Sequence, residues 1–253
     1  MSLTTGQVDQ FVAEGYVKLD GAFPAAVGDR CRRELREAPG CHPDDPATWT
    51  QPVIRLGGFG SPPFREAANT QTLHQAFDQL VGPGRWEPRI GLGTVPVRFP
   101  SSRDPGDDGW HVEASSEGEH GELKLSLRSR GRALLMLFLF SEVSQDDAPT
   151  RIRVGSHLDV PLLLEPSGED GREWMELCGE AVAASEHRPL ALATGTVGDV
   201  YLCHPFLVHA AQPHRGCAPR FMAQPPLYPT GLLDLDADRP SPVEQAALVG
   251  LHR

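Results

Sequence analysis

Hydrophobic and polar positions follow two different periods along this chain. In the first 80 residues or so the spacing is helical. Thr4 or Thr5 caps a segment that carries Val8, Phe11 and Val12 on one side and stops at Gly15. Tyr16 to Leu19 then alternates as a short strand. A second helix is expected from near Pro24 to the Pro39–Gly40 break. A third covers Phe64 to Leu80, with Leu73, Phe77 and Leu80 on one face and GPG at 82–84 to end it. Between them, CHPDDPATWTQP has no apolar period and reads as a loop, and Pro52 to Leu56 reads as a strand.

Beyond residue 85 the pattern becomes strand-like. The segments are Ile90–Phe99, Glu122–Arg128, Arg132–Phe140, Arg151–Val154, Ala191–Thr194, Asp199–Leu202, Phe206–His209 and Phe221–Tyr228. Only Arg172 to Ala184 interrupts them with a helical pattern. Helices first, then short strands with Gly/Pro turns, predict a mainly β fold with N-terminal helices, an antiparallel sandwich or barrel. A single domain over 1–253 is expected: a mostly helical part over 1–85, a barrel core over 86–230 and a C-terminal tail over 231–253.

Composition narrows the function. With 23 basic residues against 34 acidic ones and a net charge of −11, the chain has no basic stripe for nucleic acid or an anionic membrane. An anionic ligand must be met by individually placed arginines. The 5 cysteines include no CxxC pair, which fits free thiols in a reducing compartment better than a zinc or disulfide framework. The N-terminus shows no basic region followed by an apolar core, and the longest apolar run, Ala133 to Phe140, is too short to span a bilayer. A cytoplasmic protein with a small-molecule substrate is the expectation.

Two stretches carry candidate chemistry. In GWHVEAS, His111 and Glu113 lie two residues apart, so an extended backbone presents both on one face. The other stretch, Gly198 to Arg220, holds His204, His209 and His214 and ends in an arginine. One of these imidazoles, added to His111 and Glu113, makes two histidines and one carboxylate, the facial triad of non-heme Fe(II) oxygenases. That set leaves three positions open, enough for a bidentate 2-oxo acid and O2. Zinc, cobalt or nickel could take the same ligands. Alone, an HxE tripeptide is as readily a half-buried polar pair on a strand. Arg220 changes that balance: a planar, permanently charged fork suits the far carboxylate of 2-oxoglutarate. It follows His209 by 11 residues, enough for one turn and a return along the neighbouring strand. No Gly-rich phosphate cradle, GxSxG elbow or HExxH helix is present.

The chain resembles the phytanoyl-CoA dioxygenase family of Fe(II)/2-oxoglutarate oxygenases. The matching pieces are LTTGQVDQFVAEGYVKLDGAF, GWHVEAS, RVGSHLDVP and GDVYLCHPFLVHAA followed by Arg220, in the family's order. The resemblance implies a double-stranded β-helix, a cupin-like jelly-roll barrel with iron at its mouth. It implies that His111, Glu113 and His209 ligate Fe(II) and that Arg220 binds 2-oxoglutarate. The implied reaction uses O2 to hydroxylate or otherwise oxidise a C–H bond of a small molecule, releasing succinate and CO2. The family usually has Asp where this chain has Glu113, a carboxylate one methylene longer. The presence of a carboxylate argues against a halogenase, in which chloride takes that place.

The family's spacing to its arginine favours His209 over His204, and His214 lies in a loop composition between Pro213 and Gly216. For His204 the plainer role is a packed histidine bonded to a backbone carbonyl. Thr150 and Ser156 are further candidates for cofactor contact, and Arg98 and Arg153 for substrate contact. Ser156 and His157 also read as a structural turn. Two rival readings stand beside the oxygenase. One is a barrel that binds metal or a small ligand without turnover; the other is a hydrolase or isomerase using another divalent metal, in which Arg220 would have no task.

Overall fold

The apolar run at 133–140 becomes the middle strand of the largest sheet. The coordinates, a computed structural model, describe residues 3–38, 42 and 44–253; the Pro39–Gly40 break and Cys41 lie outside them. The helices are α1 (Thr5–Glu14), α2 (Ala25–Arg36), α3 (Pro62–Ala68), α4 (Gln71–Leu80), α5 (Pro161–Leu164), α6 (Trp174–Ala184) and α7 (Pro242–Leu251). The first six strands are β1 (Tyr16–Leu19), β2 (Val53–Phe59), β3 (Gly93–Arg98), β4 (Ser116–Glu117), β5 (Leu123–Leu125) and β6 (Leu134–Leu139). The rest are β7 (Arg151–Arg153), β8 (Arg172–Glu173), β9 (Leu190–Leu192), β10 (Val200–Cys203), β11 (His209–Ala210), β12 (Arg220–Ala223) and β13 (Pro226–Leu227).

These strands form antiparallel sheets. The major one has the order β1-β10-β6-β12-β3-β2, with β13 also paired to β6; β11-β7-β9 and β4-β5-β8 form two smaller sheets. The result is a mixed fold of helices and antiparallel sheets, with helices late in the chain as well as early. No closed barrel forms among the described residues. The reason is local: several strands are only two to four residues long, and prolines such as Pro205 and Pro225 interrupt the ladders.

β6 is buried on both faces, which is why its sequence is continuously apolar rather than alternating. Met136 and Phe138, with Phe140 beyond the strand, join the cluster under the helical layer. There Phe23 meets Phe138 and Phe140 at centroid distances of 6.0 and 5.3 Å, and Phe64 meets Phe140 edge-on at 5.7 Å. Leu135, Leu137 and Leu139 point the other way and pack with Ile152 of β7, Leu207 and Met222. The space between the major sheet and β11-β7-β9 is therefore an apolar core at one end, and it receives the polar residues of the site at the other.

Local chemistry sets the helix ends. Thr4 and Gln7 form a reciprocal capping box on α1, which ends at Gly15 in a left-handed conformation (φ 86°). A Cβ at Gly15 would lie 2.4 Å from His157 Nδ1, so both the turn and the close approach need glycine there. The single helix expected over 64–80 is two helices, because Thr70 caps α4 and the Asn69 side chain bonds the carbonyls of Arg65 and Arg89. α7 falls in the segment expected as a tail. Ser241 and Glu244 form its capping box with Pro242 at the first position, and buried Glu244 is paired with Arg85. No helix among the described residues is long and apolar enough to cross a membrane.

Phe138 touches both Phe23 and the β6 neighbours with no exposure to solvent. Phe138→Ala is expected to lower unfolding free energy by about 3–5 kcal/mol in urea denaturation.

Candidate metal centre

His111 and His209 come from distant parts of the chain and meet as an antiparallel pair. The His111 amide donates to the His209 carbonyl at 3.0 Å and the His209 amide to the His111 carbonyl at 2.9 Å. Directly paired residues share a face, so both imidazoles point the same way, with ring centroids 4.5 Å apart. His209 also pairs with Ile152, a residue of the inter-sheet core. That face is the interior between the sheets.

The same local device orients both rings. His111 Nδ1 lies 2.9 Å from the Gly109 carbonyl and His209 Nδ1 lies 3.0 Å from the Leu207 carbonyl. A carbonyl only accepts, so each Nδ1 carries the proton and each Nε2 keeps its lone pair for a metal. Glu113, two residues on, completes the set: its Oε1 is 3.4 Å from His209 Nε2 and 4.0 Å from His111 Nε2. One donor atom from each of the three residues lies within 4.8 Å of the others. An ion bonded at about 2.1 Å to perpendicular donors holds them about 3 Å apart, so small side-chain movements bring this set together. The donor types fit Fe(II), and the longer glutamate reaches the position.

Protonation states match that use. Burial, and then the neighbouring His209, push the His111 pKa down, which keeps the ring neutral. Burial alone would raise the Glu113 pKa, but His209 beside it and the guanidinium of Arg132 hold it down at about 2. A neutral imidazole and an ionised carboxylate are the forms that bind metal.

The segment 111–113 is held from outside. The Trp174 indole at the start of α6 donates to the Val112 carbonyl at 2.6 Å, and Cys178 Sγ–H lies 3.7 Å from the same oxygen. Trp110, on the opposite side from His111, is packed by the guanidinium groups of Arg151 and Arg153 at 4.8 and 4.6 Å from its centroid.

Arg220 begins β12 and is fully buried, opposite Arg98 of β3 in the register. Its guanidinium donates to the carbonyls of Ala148 and Pro96, but it makes no ion pair among the described residues. The Nε groups of both Arg220 and Arg98 are buried without a hydrogen-bond partner. Arg98 is paired with Asp107 at 2.8 Å; Arg220 has no such counter-charge. Burial, and then Arg98 beside it, pull the Arg220 pKa down to about 9. A buried guanidinium without a counter-charge is unfavourable, and an anion bound there would offset that cost.

The remaining candidates divide. Thr150 is buried, with its hydroxyl 3.6 Å from Met222 Sδ and accepting from Gln224 Nε2 at 3.3 Å. Arg98 stands beside Arg220 in the register of β12 and β3 and is paired with Asp107. The Ser156 hydroxyl accepts the Val208 amide at 2.9 Å and so braces the strand before His209. Arg153 does not face the centre: it bonds the Val182 carbonyl and Ser185 Oγ of α6, because it lies on the face of β7 opposite Ile152. His204 is fully occupied, its Nδ1 accepting the Phe206 amide at 3.1 Å and its Nε2 facing the Val243 carbonyl at 3.0 Å. His214 is buried and not in an open loop, with Nδ1 accepting the Gly216 amide at 3.1 Å. Arg132, 3.0 Å from Glu113, had no sequence signal of its own, since RGR at 130–132 reads as the polar lead-in to an apolar strand.

Solved structures share this fold. HygX from Streptomyces hygroscopicus, solved with nickel and 2-oxoglutarate bound, is 20% identical over 90% of this chain and 88% of its own, with a TM-score of 0.58. The epimerase SnoN, in complex with Fe3+, alpha ketoglutarate and nogalamycin RO, is 17% identical over 88% of this chain and 82% of its own, with a TM-score of 0.60. SnoK, a non-heme alpha ketoglutarate dependent carbocyclase from nogalamycin biosynthesis, is 14% identical over 90% and 84%, with a TM-score of 0.56. At such identities the likeness is one of fold. No protein-family model matches the chain, and no curated protein matches its sequence. None of these three neighbours is named as a phytanoyl-CoA dioxygenase, so that family is not shown by them.

Two outcomes are expected. His209→Ala should lower Ni(II) or Co(II) affinity by roughly two orders of magnitude or more in calorimetry. His204→Ala should leave the affinity in place while costing about 1–3 kcal/mol of stability. The folded Glu113 pKa, near 2, lies below its ordinary 4.5, so the folded state prefers the ionised form. Its contribution to metal-free stability is complete above pH 4.5 and is lost as pH falls towards 2. Glu113→Gln should therefore flatten the acid side of a Tm–pH curve over that window.

Proposed function

We propose that this chain is an Fe(II)- and 2-oxoglutarate-dependent oxygenase of the double-stranded β-helix type, akin to the phytanoyl-CoA dioxygenases, acting on a C–H bond of a small molecule. The observation that carries the reading is the buried Arg220, which has no counter-charge among the described residues and by strand parity shares the face of Met222, packed in the inter-sheet cluster with Ile152, the register partner of His209. A metal triad alone would serve many reactions. A triad with a buried cation awaiting a carboxylate fits a dicarboxylate cosubstrate. The iron and 2-oxoglutarate bound to HygX and SnoN relatives of the fold point the same way.

When bound, iron and 2-oxoglutarate supply the activation of O2, coupled to release of succinate and CO2 and to oxidation of the substrate. The residues of the chain have simpler tasks. His111 and His209 present Nε2, with their tautomers set by Gly109 and Leu207. Glu113 presents Oε1. Arg220 takes the distal carboxylate of the cosubstrate in its fork, with Arg98 and Thr150 as neighbours, and so fixes its direction of approach. The apolar inter-sheet core of Leu135, Leu139, Ile152 and Met222 excludes water behind it.

The product need not be an alcohol: SnoN is described as an epimerase and SnoK as a carbocyclase.

Anaerobic addition of Fe(II) and 2-oxoglutarate is expected to give a visible charge-transfer band, and admission of air to release succinate. Folded, metal-loaded protein that shows neither would rule the reading out in favour of a binding barrel. Arg220→Gln should raise the 2-oxoglutarate concentration needed for half the band by about a hundredfold while iron still binds.

A further inference from the structure

We propose that Arg132 is a positioning residue that restricts Glu113 to a single coordinating oxygen. The inference rests on the oxygenase reading and extends it to the one ligand that departs from the usual aspartate. The two oxygens of Glu113 face different partners. Oε1 looks towards the two imidazoles, at 3.4 and 4.0 Å. Oε2 is 3.0 Å from Arg132 Nη2.

Arg132 has no other side-chain partner among the described residues, and its Nε and Nη1 are buried without a hydrogen bond. Its position depends on a turn built for close approach. Gly131 passes so near Ser115 that an added Cβ would lie 1.8 Å from the Ser115 carbonyl oxygen. Ser129, buried and in a left-handed conformation (φ 42°), donates its hydroxyl to the Arg132 carbonyl at 2.6 Å. Such a conformation is costly for serine and persists where surrounding contacts hold it.

The consequence is one of coordination count. A glutamate, longer and more flexible than an aspartate, can turn both oxygens to a metal. Two imidazoles and a bidentate carboxylate would fill four of six positions. The two left over could take a bidentate 2-oxo acid or leave room for O2, but not both. With Oε2 engaged by Arg132, three positions remain.

The test measures binding rather than turnover. Wild type, Arg132→Gln and Arg132→Lys are loaded with anaerobic Fe(II), metal and 2-oxoglutarate affinities are read by calorimetry and the visible band, and nitric oxide is then added as a surrogate for O2. Arg132→Gln is expected to keep both affinities within a few-fold of wild type and to weaken nitric oxide binding to the 2-oxoglutarate complex by roughly ten- to a hundredfold, with Arg132→Lys in between. Wild-type nitric oxide binding in Arg132→Gln, or loss of the metal itself, would overturn the proposal. If Arg132→Gln does not fold, Gly131→Ala, which lifts the turn off Ser115 and keeps the charge, should show the same selective loss; a wild-type profile there would overturn it. A wild type that binds metal without 2-oxoglutarate sinks the oxygenase reading itself, a result distinguishable from failure of this inference alone.

Discussion

Two backbone hydrogen bonds, exchanged between His111 and His209, hold the centre together. Without that pair, HVE at 111–113 and the histidine at 209 are unrelated polar residues on separate segments. With it, strand geometry puts both imidazoles on one face, and Glu113 follows by the two-residue period. Much of the surrounding structure serves this junction. Trp174 anchors the carbonyl of Val112 from α6, and Ser156 anchors the amide of Val208 from the turn after β7. His157 and Gly15 bring α1 against that turn. Helices that look peripheral thus set the position of the ligands.

A second constraint is electrostatic. The chain carries a net charge of −11, yet Arg98, Arg132 and Arg220 sit inside it. Two of the three have acidic partners, Asp107 and Glu113. Of these three only Arg220 lacks an acidic partner among the described residues; Arg89 and Arg153, also buried without one, bond carbonyl and hydroxyl oxygens and lie over the rings of Tyr228 and Trp110. An acidic surface repels anions at long range, so an anion at Arg220 would be held at short range, where burial strengthens the pull. The apolar face of β6 and Ile152 provides the low-dielectric wall for that interaction.

Much of this was legible in the chain because it depends on short-range rules. The capping box at Thr4, the stop at Gly15, the apolar run of β6 and the i, i+2 display of His111 and Glu113 follow from local chemistry. What was hidden came from tertiary contacts. Asn69 and Thr70 break the helix expected over 64–80 because Asn69 bonds Arg89, far along the chain. The helix at 242–251 has a local start signal, the SPVE capping box at 241–244 with proline at the first helical position, but its apolar residues form no clear face to mark it as a helix. Arg153 and Ser156 have plausible residue types for a site, but strand parity and a backbone amide claim them. Arg132 illustrates the limit most clearly: only a glycine close to Ser115 brings it to Glu113, and no spacing rule connects residues 113 and 132.

The central claim is that His111, Glu113 and His209 hold one metal ion and that Arg220 orients 2-oxoglutarate upon it. Anomalous scattering from crystals grown with Ni(II) and 2-oxoglutarate tests it most directly. The expected result is one metal peak bonded to the Nε2 atoms of His111 and His209 and to one oxygen of Glu113, with the distal carboxylate of 2-oxoglutarate on Arg220. A peak at His204 or His214, or a ligand that leaves Arg220 unpaired, would contradict the account.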